Sequence, residues 1–135
     1  MVEPIEVFNR VMGHLFACDA GAYADMFAKD AVVEWPFAPA GWPRRLDGRD
    51  AIRAHVGAIL ARFQGSGRRF VGVRDPVVHA IGTHEVIVEF LFEIAAPEGP
   101  SLRPYVHFLR VTDDGEIASL RDYFVPASVD TRSAA

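Results

Sequence analysis

Hydrophobic positions recur with a helical period through most of the first half of the chain, and beyond residue 67 they alternate. Over 4–17, Ile5, Phe8, Val11, Met12, Leu15 and Phe16 follow the 3.6-residue repeat of an amphipathic helix. Pro4 suits its first position, where the absent N–H has no intrahelical partner to lose. "CDAG" breaks the repeat, and a shorter helix over 20–28 buries Tyr23, Met26 and Phe27, with Asp19 placed to cap it. "AVVEW" then alternates as a strand, Val33 and Trp35 on one face and Glu34 on the other. "PFAPAGWPRRLDG" holds three prolines and two glycines, which excludes helix and central strand, so it reads as a loop. It carries Phe37 and Trp42, more apolar surface than a solvated loop needs. A third helix over 49–63 buries Ile52, Val56, Ile59, Leu60 and Phe63 after Asp47 or Gly48 as cap, and "QGSG" ends it.

The remaining segments read as strands. "RRFVGVRDPVVHAIG" is one long strand kinked near Pro76. In "HEVIVEFLFEIA", Val86, Val88, Phe90 and Phe92 oppose Ile87, Glu89, Leu91 and Glu93. "APEGP" turns the chain into "SLRPYVHFLRV", where Pro104, Val106 and Phe108 are expected inward and Tyr105 and His107 outward. "TDDGE" is a hairpin turn, and "IASLRDYFVP" is the last strand. Three helices followed by a meander define the α+β class. A twisted antiparallel sheet curling around the helices at 4–17 and 49–63 leaves a cone between them, the kind of hollow that binds ligands. One domain over 1–128 is expected, with 129–135 as a flexible tail.

Composition narrows the partners. The 135 residues carry a net charge of −4 and are half hydrophobic, normal for a soluble domain. Basic residues are scattered and adjoin only in two short pairs, Arg44–Arg45 and Arg68–Arg69, so no stripe suits nucleic acid. No apolar run reaches the ~20 residues of a membrane span, and Glu3, Glu6 and Arg10 interrupt any signal-peptide pattern. Cys18, the single cysteine, allows no intrachain disulfide, and a cytoplasmic location is the expectation. The five histidines have no metal-ligand spacing, "GSG" follows a helix instead of opening one, and no serine sits in a nucleophile elbow. No cofactor and no metal are expected.

One residue breaks the pattern. In "SLRDYFVP", Asp122 shares a face with Leu120 and Phe124, on the side expected to be buried. An unpaired carboxylate there is costly, so it must find a donor or take up a proton. Three roles stay open: acid–base chemistry, passive ligand contact, or a bond tying sheet to helix. His55 shares a helix stripe with Ile52 and Ile59 and is the expected partner of Asp122, although a core histidine bonded to a carbonyl fits equally. His14 lies near the inner stripe of the first helix, and His79 and His84 flank a turn. Trp35, Phe37 and Trp42 could clamp a flat ligand or pack on one another as a lid.

"AYADMFAKDAVVEW", "DGRDAIRAHV" and "GEIASLRDYFVP" together resemble the SnoaL-like branch of the nuclear-transport-factor-2 (NTF2)-like superfamily, over 3–127. That superfamily includes ketosteroid isomerases, limonene epoxide hydrolases and polyketide cyclases, and the resemblance implies its cone-shaped fold. Function varies on this fold, so the site must decide. Carried over by position, the ketosteroid isomerase base falls on Trp35, the oxyanion aspartate on Val106 and the tyrosine at or near Val11. All three are apolar, which counts against that reaction. The cyclase and epoxide-hydrolase branches place an acid at Asp122. The arginine and second aspartate of the hydrolases have no counterpart in the set Pro104, Val106 and Phe108, and Arg110 lies toward the strand end.

The expected protein therefore binds a small, largely apolar, cyclic or polyketide-like molecule, either as an acid–base enzyme or as a non-catalytic binder, with epoxide hydrolysis as a further alternative. The expected catalytic pair is Asp122 and His55; the expected walls are Trp35, Phe37, Trp42, Phe90, Val106, Phe108, Leu120 and Phe124. The opposite sheet face, with Ile87, Leu91, Tyr105, His107, Leu109 and Tyr123 among Glu89, Glu93, Arg103 and Arg121, suits the two-fold dimer that the resemblance implies.

Overall fold

A computed structural model describes residues 2–125; the expected tail over 129–135 lies outside the described residues. Helix α1 (Pro4–Phe16) turns Val7, Phe8, Val11 and Met12 into the core, with Pro4 in its first turn as expected. Helix α2 (Ala20–Asp25) is capped by Asp19, whose Oδ1 accepts from the Ala22 N–H at 3.0 Å. It stops earlier than its apolar pattern suggests. Phe27 opens strand β1 (Phe27–Glu34) instead, opposite Ile117, and the Ile117 N–H donates to the Met26 carbonyl at 2.8 Å. A pairing partner ninety residues away in sequence overrides local helix propensity here.

The proline-rich segment is not wholly loop. It folds back as a hairpin, and strand β2 (Arg45–Asp47) pairs antiparallel with β1, Val32 opposite Asp47 and Glu34 opposite Arg45. Three residues at a sheet edge tolerate the flanking prolines because their outer N–H groups need no partner. Helix α3 (Arg49–Gly65) starts from Gly48, whose φ of 95° is open to glycine and strained for other residues. The Gly48 N–H donates to the Ala31 carbonyl at 2.7 Å and so pins the helix start to β1.

Strand β3 (Arg69–Ile81) kinks where expected: its pairing slips between Arg74 and Val77, and Asp75 adopts φ 52°. Strands β4 (Glu85–Ala95), β5 (Ser101–Val111) and β6 (Ile117–Phe124) complete one sheet in the order β2-β1-β6-β5-β4-β3. The sheet is not purely antiparallel, because β1 and β6 run parallel, Val33 opposite Leu120 and Glu34 opposite Arg121. This α+β, NTF2-like architecture lays α1 and α3 against one face of the curved sheet.

Register assigns the faces. Across β4, β5 and β6 run the rows Val86–Leu109–Leu120, Val88–His107–Asp122 and Phe90–Tyr105–Phe124. Val86, Val88, Phe90, His107, Leu109 and Leu120 are all buried, so these rows face the helices. The expectation for β5 is thereby reversed. Pro104, Val106 and Phe108 point outward, and Tyr105, His107 and Leu109 point inward. Both sets alternate and both are largely apolar, so period alone could not choose between them.

Candidate functional site

Asp122 lies in the middle of the inward rows, with His107 beside it on β5 and Trp35 beside it at the end of β1. The parallel register places Trp35 there: Val33 stands opposite Leu120, and two residues further along the same face Trp35 reaches Asp122. Its indole Nε1–H donates to Asp122 Oδ2 at 3.2 Å. His107 Nε2 is 3.2 Å from Oδ1, yet the angles give neither atom a hydrogen bond. The side chains of His107 and Asp122 are only 5% and 16% exposed, so water satisfies little of this polarity. Phe8 and Phe90 flank the His107 ring edge-on, with centroids at 5.9 and 4.9 Å.

Two phenols share this field. Burial first, and then the Asp122 charge, push the Tyr23 hydroxyl far above the usual phenol range. The same two causes raise Tyr105, while the nearby Arg103 guanidinium works in the opposite direction. Both phenols therefore stay un-ionised and remain hydrogen-bond donors. Arg103 has the inward parity of β5, opposite Phe92, so the expectation of no arginine on that face is also corrected.

His55 does reach the inner side, but as a neighbour of the tryptophans. Its ring packs 5.1 Å from Trp35 and 5.5 Å from Trp42, and its buried Nε2 has no hydrogen-bond partner. Burial first, and then the Arg62 charge, lower its pKa, which favours the neutral ring. The expected partnership of His55 with Asp122 is not formed: His107 stands beside the acid instead, and Trp35 lies between the acid and His55.

Of the expected walls, Trp35, Phe90 and Leu120 are buried on the inner face, and Trp42 packs against the Phe124 ring at 5.5 Å. Val106 and Phe108 belong to the outer face, for the register reason given above. Phe37 is also outside: it is 60% exposed and meets Tyr123 at 5.5 Å. There it borders an open cleft of about 380 Å³ with Val77, Leu91, Pro104, Val106 and Tyr123. His107 and Tyr105 were expected outward because alternation alone carries no sign on β5; the signal that could have found them is the string Tyr105, His107, Leu109, Val111, whose last two members are core-like.

A buried carboxylate with one oxygen held by an indole N–H and the other unpartnered can accept a proton from a bound molecule. The sequence matches the SnoaL-like domain over residues 8–120, and the chain belongs to that family. It is 35% identical over 114 residues to an uncharacterized PhzA/B-like protein of Pseudomonas aeruginosa, covering 80% of this chain and 74% of that one. An uncharacterized Bacillus subtilis protein, YesE, is 26% identical over 126 residues, with 92% and 82% covered. Among solved structures, a candidate isomerase of Bacillus subtilis superposes with TM-score 0.77 at 25% identity, over 91% of this chain and 86% of the other. SalBIII, described as an epoxide hydrolase/cyclase-like enzyme in pyran ring formation in salinomycin, gives TM-score 0.67 at 19% identity, covering 91% of both chains. That likeness speaks for the fold.

Proposed function

We propose that this protein binds a small, largely apolar, cyclic or polyketide-like molecule in the cone and moves a proton at a carbon beside a carbonyl. Asp122 is the acid or base, His107 stands beside its unpartnered oxygen, and His55 offers the substrate a second polar contact. The observation that carries this reading is Asp122 Oδ1, buried and unpartnered beside His107. Burying such polar atoms without a partner costs about 1–3 kcal/mol each, so a ligand that satisfies them gains that much. The family relationship and the candidate isomerase of similar fold support the same class of chemistry. The apolar outer face, with its cleft at Leu91 and Val106, is proposed to pair two copies of the chain.

The test uses 5-nitrobenzisoxazole, a carbon acid that loses its ring C–H proton to a carboxylate as the N–O bond breaks, releasing a coloured cyanonitrophenolate. Wild-type protein should turn it over, and Asp122→Asn should lose at least ~100-fold in kcat. Both should bind 2-naphthol, seen as quenching of tryptophan fluorescence. Binding by both proteins with turnover by neither would leave the non-catalytic binder as the correct reading.

A further inference from the structure

Trp35 was expected to be a wall, but its geometry is that of a clamp. The indole donates to Oδ2 of Asp122, while Oδ1 has no hydrogen bond. The tryptophan itself cannot drift. Its backbone N–H donates to the Arg44 carbonyl at 2.8 Å, its carbonyl accepts from Ala38 at 3.1 Å, and its ring packs against both His55 and Trp42. It is 5% exposed. We propose that Trp35 is the positioning residue of the Asp122 carboxylate: it occupies Oδ2 and so presents Oδ1, beside His107, as the one oxygen that meets a bound molecule. Contact of Oδ1 with a bound molecule rests on the acid–base reading above; the clamp does not.

The chemistry favours an indole in this place. It is a donor without acceptor capacity, so it can bond only the carboxylate and cannot compete for the substrate's proton. A hydrogen bond to a charged group in a dry site is stronger than one to a neutral group, and it strengthens as the carboxylate is ionised. Other groups around Asp122 are Tyr23 from α2 and Tyr105 and His107 from β5, with Arg103 beyond Tyr105 and His55 from α3 behind the indole. Trp35 alone among them bonds Oδ2.

Nitrogen-labelled indoles provide the test, because the chain has two tryptophans and so two indole N–H signals. Trp42→Phe assigns them. The Trp35 signal should lie downfield and move upfield in Asp122→Asn, where a neutral amide replaces the charged acceptor. A Trp35 signal at the same position in both proteins would overturn the clamp, whatever the catalytic outcome. With 5-nitrobenzisoxazole, Trp35→Phe keeps an aromatic ring but removes the N–H, and kcat should fall about 10-fold with KM unchanged. A rise in KM with kcat intact would make Trp35 a wall only. Failure of Asp122→Asn to slow turnover would remove the acid–base reading and leave the indole result standing.

Discussion

Two histidines on the inner face divide the polar work, and their surroundings differ in ways that can be measured. His107 stands beside the acid, on a strand and fully enclosed. His55 stands on a helix against two indoles, partly reached by solvent, and burial with Arg62 lowers its pKa below the ordinary 6.5. The sign of the consequence follows from which state takes the proton first. As pH falls, the unfolded chain protonates before the folded one, so the contribution of neutral His55 is complete above about 6.5 and is lost as pH drops through the lowered folded value. The urea midpoint of the wild type should decline more steeply from about pH 7.5 to about pH 5 than that of His55→Gln. Parallel slopes would show that His55 is not held neutral by the fold.

Among the elements, β1 decides the most. Its parallel pairing with β6 shortens α2, places Trp35 beside Asp122 and anchors the start of α3 through Gly48. Gly48 holds φ 95° and ψ 150°, a region nearly closed to residues with a Cβ. A Cβ there would lie 3.6 Å from the Lys29 carbonyl, an ordinary contact, so the penalty is backbone strain and not collision. Gly48→Ala should destabilise the fold by about 1–3 kcal/mol in urea titration. Gly57→Ala, inside α3, with only the Ala20 Cβ at 3.8 Å and no unusual backbone, should stabilise it by about 0.5–1 kcal/mol. Equal effects at the two glycines would deny the strained helix start.

Across the whole molecule, one sheet carries two unlike surfaces. The inner surface meets the helices and holds the acid; the outer one keeps Phe37, Leu91, Val106 and Tyr123 around an open apolar cleft. Arg121 sits over the Tyr123 ring at 5.6 Å, while Asp75 and Glu89 line the far side of the cleft. Opposite charges on the two flanks let a two-fold partner set basic against acidic edges. The wild-type protein should therefore sediment at twice the chain mass, and Leu91→Asp at the chain mass with its circular dichroism unchanged. A wild type that sediments as a single chain would show that this face serves something other than a second copy.

Much of this molecule was written in its periodicity. The three helices, the kink at Pro76, the inward face of β4 and the placement of Asp122 between Leu120 and Phe124 all followed from local spacing, because burying one face imposes a period on the chain. The end of α2, the β2 hairpin and the inner side of β5 did not. Each depends on the strand it pairs with, ninety residues away for the end of α2, and where both faces of a strand are apolar the pattern carries no sign. The site divides in the same way. That an acid enters an apolar interior was legible in eight residues; that an indole holds one of its oxygens and His107, not His55, stands by the other was decided by sheet register.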